Sequence, residues 1–402
     1  MSSKKYVILL GDGMPDWPSN EHGGKTPLMM AVTPNLNRLA KEGTAGSVMT
    51  TPDGYEPGSD VTNMSILGYD PRKYYTGRAP LEAAAMGLSL APADVAFRCN
   101  LVTLRADNDG VIMDDFSAGH IETDDAREII EDLGKELGDD VISFHPGVSY
   151  RHLMVWKGGE SGARLTPPHD LSDKPITGNL PKGPGSEKLL DLMNHSQMYL
   201  KGHRVNARRR AEGKKEANSV WFWGQGKAPS MPTMMEREKL SGAMISAVDL
   251  MRGLGTCAGL RVIKVPGATG WIDTNYEGKA QACLDTLKDV DFVFVHVESP
   301  DEAGHAGSWD YKVQAISDFD KKIVGPIVEG LRKMGDFRVM ALSDHPTPVA
   351  HKTHTLERVV FAIYPALEAV HADEFDERII QNSPVRFDSG VDLWAYFREG
   401  KK

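Results

Sequence analysis

An apolar stretch near the start of the sequence, YVILLGDG over residues 6–13, predicts a buried β-strand. This strand would deliver Asp12 at its carboxyl end. Apolar runs at 260–265, 291–297 and 337–342 have the same character, and they alternate with segments of helical spacing. Strands that alternate with helices of ten or more residues are typical of a mostly parallel sheet covered on both faces. The sequence therefore predicts a doubly wound α/β core.

Helix boundaries are marked by turn and capping residues. One helix is expected to begin at Thr33-Pro34, with Thr33 as its N-cap and Pro34 as its first residue. Ser59 precedes a short amphipathic stretch, 61–67, and occupies the position expected of another N-cap. Three further helices are predicted over residues 241–252, 278–287 and 309–333.

The middle of the chain has a different pattern. Two predicted strands, 97–104 and 111–114, flank the sequence DNDG at 107–110, which is typical of a hairpin turn. Polar loops rich in proline and glycine follow. We therefore expect a smaller α/β domain, residues 93–215, to be inserted into a core made of residues 1–92 and 216–402.

Composition restricts the class of protein. The 402 residues are 41% hydrophobic and 25% charged, which is typical of a globular chain. The net charge of −10 argues against binding to a nucleic-acid backbone. Three well-separated cysteines form no CxxC motif, and we expect a reducing cytoplasm. The apolar run at 6–10 is too short for a signal peptide, no stretch is long enough for a membrane span, and no pattern predicts an oligomeric state.

Acidic and histidine residues follow three of the predicted strands. Ligands of open α/β sheets collect at the carboxyl edge, and carboxylate with imidazole suits divalent manganese, zinc or iron. Asp301 and His305 have an i, i+4 spacing that places them on one helix face. A single Asp–His pair is more often structural, but three clusters favour two metal ions. The candidates are Asp12, Asp301, His305, Asp344 and His345, with His351 and His354 within the next ten residues.

Two interpretations of Ser59 are compatible. The first is a helix cap. The second is a nucleophile, because a hydroxyl at a helix N-terminus beside divalent metal can ionise and attack phosphorus. The basic segment 201–215 also has two interpretations, a solvated helix face or a site for an anionic substrate. No segment matches the P-loop pattern of nucleotide-binding proteins.

Seven short motifs occur in an order that resembles the archaeal-type cofactor-independent phosphoglycerate mutases of the alkaline phosphatase superfamily. The resemblance covers essentially the whole chain, and the ordered set is highly specific. The motifs are Leu10-Gly11-Asp12-Gly13-Met14, Pro57-Gly58-Ser59-Asp60, Leu67-Gly68-Tyr69-Asp70-Pro71, Gly77-Arg78, Phe97-Arg98-Cys99-Asn100, Asp301-Glu302-Ala303-Gly304-His305 and Ser343-Asp344-His345.

The resemblance implies an alkaline phosphatase-like core, an inserted lid domain, a serine nucleophile and two divalent metal ions. Manganese is expected, with magnesium, zinc or cobalt as alternatives. One ion would be surrounded by Asp12, Ser59, Asp344 and His345, and the other by Asp301, His305 and His354. The family often has a serine after the Asp-His pair, whereas this chain has Pro346, and His351 competes with His354.

The resemblance also implies basic residues in the lid that bind the carboxylate and phosphate of a small substrate. Arginine suits both groups because its planar guanidinium binds them bidentately. The matching motifs supply two of these residues, and the others are weaker candidates. The set is Arg78, Arg98, Arg151, His152 and Arg208.

The expected function is the interconversion of 2- and 3-phosphoglycerate through a phosphoserine at Ser59, without ATP or a bisphosphoglycerate primer. The chain also resembles a bacterial branch of the family that has been proposed to act as homoserine kinases, so a phosphotransferase on the same metal core is the alternative. A metal-stabilised protein without catalytic activity is a third hypothesis.

Overall fold

The computed structural model describes residues 4–108 and 110–400, in which strands and helices alternate along most of the chain. The strands are β1 (Lys5–Gly11), β2 (Thr44–Val48), β3 (Val95–Asp107), β4 (Gly110–Asp115), β5 (Ile142–His145), β6 (Arg151–Trp156), β7 (Ser219–Lys227), β8 (Gly242–Ile245), β9 (Arg261–Ile263), β10 (Phe292–Val297), β11 (Phe337–Leu342), β12 (Val359–Tyr364) and β13 (Arg386–Phe387).

The helices within the same described residues include several of only one or two turns. They are α1 (Pro27–Met30), α2 (Pro34–Glu42), α3 (Ser59–Ile66), α4 (Pro71–Tyr74), α5 (Arg78–Ala85), α6 (Thr123–Leu137), α7 (Ser186–Leu200), α8 (Arg204–Ala211), α9 (Met234–Glu238), α10 (Asp249–Cys257), α11 (Tyr276–Thr286), α12 (Ser299–His305), α13 (Trp309–Phe319), α14 (Gly325–Met334), α15 (Arg378–Asn382) and α16 (Gly390–Glu399). Short 3-10 helices lie at Asn20–His22, Pro168–Leu171 and Thr177–Asn179, and a π-helical turn lies at Asp320–Val324.

The chain divides into two compact units. The first comprises the described residues of 1–75 and 230–402, and the second comprises residues 76–229. The second unit therefore begins earlier and ends later than the expected boundaries of 93 and 215. Helix α5 and strand β7 account for the difference, because both pack on strand β3. That the second unit acts as a substrate-binding lid stays a prediction.

The first unit contains an eight-stranded sheet in the order β13-β2-β12-β11-β1-β10-β8-β9. Only β12 runs antiparallel to its neighbours, so the sheet is mostly parallel. Strand β1 is central, and its residue Leu9 pairs with Val295 of β10 and with Ala341 of β11. The carboxyl ends of these three parallel strands therefore meet at one edge, where Asp12 follows β1.

Helices cover both faces of this sheet. On one face Val7 and Leu9 belong to a core that includes residues of α2, α11 and α14. On the other face Phe292 packs edge-on against Trp394 of α16, and α16 contacts α3. The alternation of strand side chains between faces explains why both faces are apolar. The prediction of a doubly wound, mostly parallel α/β core is confirmed.

Two sequence predictions need correction in this unit. The segment 241–252 is not one helix, because its first half forms strand β8 and only its second half enters helix α10. Its apolar residues are those of a buried strand, which short periodicity cannot separate from a helix. The predicted helix at 309–333 is interrupted by the π-helical turn. Thr33 stands at the N-cap of α2 and Pro34 at its first position, as predicted, although the Thr33 side chain makes no capping hydrogen bond.

The N-terminus of α2 is capped from a distant residue. The buried carboxylate of Asp320, in the π-helical turn, accepts hydrogen bonds from the backbone amides of Asn35 and Leu36 at 3.2 and 2.7 Å. These amides have no partner within their own helix, so an acceptor from elsewhere must satisfy them. Burial raises the pKa of Asp320, while these hydrogen bonds lower it.

The second unit is built on a separate antiparallel sheet. Strand β3 is its long central strand and pairs with β4, β6 and β7, while β5 pairs with β6. The predicted hairpin of β3 and β4 is confirmed, although Asp109 lies outside the described residues. Helices α6 and α7 pack on one face of this sheet through their apolar residues. Among the described residues of both units, no helix has the length and apolarity required to cross a membrane.

Candidate active site

Three residues at the carboxyl edge of the first unit form a group that we call the buried trio: Asp12, Asp344 and His345. One ligand atom of each lies within 4.8 Å of the others, and all three side chains are buried. The Nε2 atom of His345 lies 3.5 Å from Asp12 and 3.3 Å from Asp344. The group exists because β1 and β11 are parallel neighbours that end at the same edge.

The electrostatics of the buried trio fit a cation. Burial, and then the charges of Asp344 and Asp301, raise the pKa of Asp12 well above its usual range. The Oδ1 atom of Asp12 is buried and accepts no hydrogen bond from the residues described. Because buried carboxylates without partners are costly, a divalent ion among these oxygens would compensate the charge. The donor set of carboxylate oxygen and imidazole nitrogen is that of manganese, zinc or iron.

Supporting residues hold the buried trio in place, and sequence reasoning missed them. The Nε2 atom of His296 lies 2.8 Å from Asp12 Oδ2, which leaves Oδ1 of that carboxylate available. The side-chain amide of Asn63 donates to Asp344 Oδ2 at 2.8 Å. His296 is the one polar residue in the apolar strand β10, and that single interruption is the signal that could have drawn attention to it.

A second group, the half-exposed trio, consists of Asp301, His305 and His354. Its ligand atoms also lie within 4.8 Å of one another. The Nε2 atoms of His305 and His354 are 3.0 Å apart, and each lies within 3.5 Å of an oxygen of Asp301. Burial lowers the pKa of His305, but the hydrogen bond with Asp301 and the charge of that carboxylate raise it to about 9. Burial raises the pKa of Asp301, yet hydrogen bonds from the two histidines hold it well below its usual range.

The two trios have the same members as the two ligand sets implied by the resemblance, apart from Ser59. They adjoin each other, because the rings of His345 and His354 lie 3.9 Å apart. His351 is in neither group, and its exposed ring packs against Trp17 at 5.4 Å. The geometry thus favours His354 over His351, and metal binding by either trio stays a prediction.

Ser59 is the first residue of α3, and Gly58 occupies the N-cap position. The interpretation of Ser59 as the N-cap is therefore wrong by one residue. The Ser59 hydroxyl instead lies 3.2 Å from His345 Nε2, beside the buried trio. The interpretation as a nucleophile remains compatible with this position.

Three of the five basic residues predicted to bind substrate lie close together in the second unit. Arg98 is buried, forms a 2.9 Å ion pair with Glu82, and places its guanidinium 4.1 Å above the ring of Trp223. Burial, together with the positive charges of Arg78 and Arg151 and against the effect of Glu82, lowers the pKa of Arg98 to about 10. We call Arg78, Arg98 and Arg151 the arginine cluster.

His152 and Arg208 lie elsewhere in that unit. In the pairing of β3 with β6, Arg151 is opposite Asn100, whereas His152 is opposite Cys99 and faces the other side of the sheet. Burial lowers the pKa of His152 to about 3, so the ring is neutral. Arg208 is exposed on α8 and pairs with Asp125 of α6 at 2.6 Å. Its position fits the solvated helix face among the two interpretations.

Sequence reasoning missed one candidate beside the arginine cluster. His169, in a 3-10 helix, places its ring 5.2 Å from that of Trp223. Burial lowers the pKa of His169, and Arg98 and Arg78 lower it as well. The histidine is surrounded by a proline-rich loop whose sequence predicts neither strand nor helix, so no periodic pattern marks it.

Comparison with known proteins identifies the family. The model of the family described as 2,3-bisphosphoglycerate-independent phosphoglycerate mutase matches residues 40–206. A relative from Geobacter sulfurreducens, named as a probable 2,3-bisphosphoglycerate-independent phosphoglycerate mutase, is 52% identical over 97% of this chain and 98% of its own. The chain belongs to this family. Phosphoglycerate mutases are isomerases, so the family is one of enzymes.

Solved structures agree with this membership of the mutase family. The PH0037 protein from Pyrococcus horikoshii superposes with a TM-score of 0.84 and 27% identity, covering 100% of this chain and 99% of the other. The cofactor-independent phosphoglycerate mutase from Thermoplasma acidophilum has a TM-score of 0.66 and 25% identity, with 98% of both chains covered. Both likenesses extend over the two units, so the α/β fold is shared along the whole length.

Proposed function

We propose that this chain interconverts 3-phosphoglycerate and 2-phosphoglycerate through a phosphorylated Ser59. The observation that carries the proposal is the position of the Ser59 hydroxyl, at the first residue of α3 and 3.2 Å from His345 of the buried trio. Membership of the mutase family supports the choice of substrate. The homoserine kinase alternative is not favoured, because the relatives reported above are named as mutases.

The reaction is a double displacement on Ser59. Its Oγ forms a bond to phosphorus while the bond from phosphorus to the substrate oxygen breaks, and the serine loses its proton as the departing oxygen gains one. The glycerate then presents its other hydroxyl, which takes the phosphoryl group back and leaves Ser59 free. The sum is an isomerisation, so it requires neither ATP nor a bisphosphoglycerate primer.

The elements around Ser59 suit this chemistry. The amide groups at the N-terminus of α3 favour negative charge, and a transferred phosphoryl group carries it. The side-chain amide of Asn63 donates to the carbonyl oxygen of Ser59 at 2.9 Å and to Asp344, so it fixes the serine relative to the buried trio. A nucleophile held in one position needs no reorganisation at the moment of reaction.

The two trios are proposed to bind two divalent metal ions, with manganese as the expected ion. Bound there, such ions supply positive charge that stabilises the phosphoryl oxygens and lowers the pKa of a nearby hydroxyl. Activity should be lost after treatment with a chelator. Restoration by manganese, magnesium, zinc and cobalt at equal concentrations would rank the metals, and elemental analysis of active protein without divalent metal would contradict the proposal.

The arginine cluster is proposed to bind the carboxylate of the glycerate. Arg98 is already held by Glu82 and Trp223, so its guanidinium is oriented before an anion binds. An anion would relieve the mutual repulsion of the three guanidinium groups.

A small phosphorylated substrate is the only partner that we propose. The three free cysteines support a cytoplasmic location, where thiols stay reduced.

Substitution of the serine tests the proposal. Ser59→Ala should lower turnover by several orders of magnitude, because the nucleophile is removed, while folding and metal content are retained. Ser389→Ala is a matched control, since Ser389 caps α16 by accepting a hydrogen bond from the backbone amide of Asp392. This replacement should lower the stability by only about 1 kcal/mol. Mass spectrometry of enzyme quenched with 3-phosphoglycerate should find phosphate on Ser59. Substantial turnover by Ser59→Ala, or phosphorylation of homoserine by ATP without mutase turnover, would refute the proposal.

A further inference from the structure

Lys312 of α13 is a fully buried lysine whose ammonium group is completely occupied. Its Nζ atom donates to the carboxylate of Asp16 at 2.8 Å, to the carbonyl of Pro15 at 3.1 Å and to the carbonyl of Thr347 at 2.7 Å. An ammonium group has three protons, and these acceptors account for all of them. The lysine therefore has one fixed position.

The acceptors belong to the two loops that carry the buried trio. Pro15 and Asp16 follow β1 in the same loop as Asp12, and Thr347 follows β11 two residues after His345. The loops also contact each other directly. The amide of Thr347 donates to the carbonyl of Pro15 at 3.3 Å, and the amide of Val349 donates to Asp16 at 3.0 Å. Lys312 thus links the two loops through its hydrogen bonds, although its own helix, α13, contributes no trio residue.

Thr347 extends this connection to the half-exposed trio. Its hydroxyl donates to Asp301 Oδ1 at 2.5 Å. The residue is also tightly enclosed, because a Cβ atom at Gly13 would lie 2.6 Å from its hydroxyl and one at Gly304 would lie 2.4 Å from its carbonyl. The carbonyl of Thr347 accepts a hydrogen bond from Lys312, and its hydroxyl donates one to Asp301. Together with the close packing, these two contacts fix the position of Thr347.

We propose that Lys312 is a positioning residue that sets the separation of the two trios, and hence of the two metal ions of the proposed function on which this inference rests. None of its three acceptors is a trio residue. It acts on the buried trio by joining the loops of Asp12 and His345, and on the half-exposed trio through Thr347. Its role is distinct from binding substrate or metal.

Stability alone does not account for this arrangement. A buried ion pair loses hydration on both sides, and replacing such a pair by apolar residues of similar volume is often neutral or stabilising. Residues that orient metal ligands, by contrast, change metal affinity or activity by roughly 10- to 100-fold when substituted. The structure places Lys312 among atoms whose positions determine those of the ligands.

The test uses the double variant Lys312→Met/Asp16→Asn, which leaves no unpaired buried carboxylate. Binding isotherms with manganese alone should give a dissociation constant for the weaker site that is roughly 10- to 100-fold higher than in the wild type. The electron paramagnetic resonance spectrum of the loaded protein should lose the exchange-coupled signal of a close manganese pair. Asp320→Asn is the matched control, because this buried carboxylate follows α13 directly but contacts α2. It should lower Tm without changing either readout.

A second pair of variants tests the connection through Thr347 if the double variant does not fold. Thr347→Val removes the hydroxyl that donates to Asp301 and should weaken manganese binding, whereas Thr347→Ser keeps the hydroxyl and should restore it. Wild-type affinity and an unchanged spectrum in the folded double variant, or in Thr347→Val, would overturn the role of Lys312. A wild-type protein that binds no manganese would instead refute the proposed function, and this inference with it.

Discussion

The two trios have similar composition but differ in the exposure of their histidines, since Asp301 is buried, like the members of the buried trio. In the buried trio the side chains of Asp12, Asp344 and His345 are at most 2% exposed, whereas His305 and His354 of the half-exposed trio are 35% and 23% exposed. The first group has two carboxylates and one histidine, and burial lowers the pKa of this histidine, His345. The second has one carboxylate and two histidines, and the pKa of one of these, His305, is raised to about 9.

This difference shows two ways in which a folded chain can hold candidate metal ligands together without a metal. The half-exposed trio contains its own counter-charge, because protonated His305 pairs with Asp301 at 3.2 Å. The buried trio has surplus negative charge, which neighbouring hydrogen-bond donors such as His296 and Asn63 moderate. A cation entering the buried trio therefore relieves repulsion, whereas a cation entering the half-exposed trio must first displace a proton.

The largest effect is expected from removing charge in the buried trio. Asp12→Asn should lower turnover roughly a thousandfold, because a metal site contributes several kcal/mol to charge stabilisation. The same change should raise the free energy of unfolding of the metal-free protein by on the order of 1 kcal/mol, since it removes repulsion with Asp344. Kinetics and thermal unfolding of chelated protein would measure the two effects.

Asp132→Asn provides the control for that experiment. Asp132 is a buried carboxylate of the second unit that pairs with His203 and Arg204. Its replacement should therefore lower the free energy of unfolding of the metal-free protein, whereas Asp12→Asn should raise it. If Asp12→Asn also destabilised the metal-free protein, the surplus charge assigned to the buried trio would be wrong.

An intermediate effect is expected from the half-exposed trio. His354→Ala should weaken manganese binding at one site by roughly 10- to 100-fold, because it removes an imidazole ligand that adjoins His305 and Asp301. His351→Ala is the matched control, since its ring packs on Trp17 away from the trio. Calorimetric titration of both variants would decide the assignment, and the reverse order of effects would transfer the ligand role to His351.

The smallest expected effect is the change in manganese affinity for each unit of pH. The pKa of His305 in the folded protein, about 9, lies above its ordinary value of 6.5. The stabilisation by its protonated form is therefore fully present below pH 6.5 and is lost as the pH rises through 9. Manganese must displace this proton, so affinity at the half-exposed trio should rise about tenfold per pH unit from pH 7 to 9. Isotherms that are constant over this range would contradict the difference between the trios.

The sequence predicted those parts of the molecule that depend on local pattern. The apolar runs of β1, β10 and β11 indicated the central strands, and the polar residues that follow them indicated the edge at which the trios lie. The parallel order of these strands then explains why Asp12 and Asp344 meet. A single sequence shows these strands, because buried parallel strands are continuous apolar runs.

The features that the sequence did not predict depend on contacts between residues far apart in the chain. The cap of α2 comes from Asp320, and nothing near Thr33 in the sequence indicates that residue. His152 and Arg151 are adjacent, yet the pairing of β3 with β6 places them on opposite faces. Lys312 lies in an amphipathic helix, where a lysine is ordinarily solvated, and only the packing of two loops around it explains its burial.

The central position of β1 has a consequence for synthesis on the ribosome. Its two neighbours in the sheet, β10 and β11, are made about 300 residues later, and Gly13 reaches Asp344 across 331 positions. At roughly 5 to 20 residues per second, the first strand waits roughly 15 to 65 s for its partners. The second unit is continuous in sequence, so its sheet can close during that interval. The nascent chain thus holds an unpaired apolar segment until β10 and β11 have been synthesised, and both trios can be assembled only after His354 has been made.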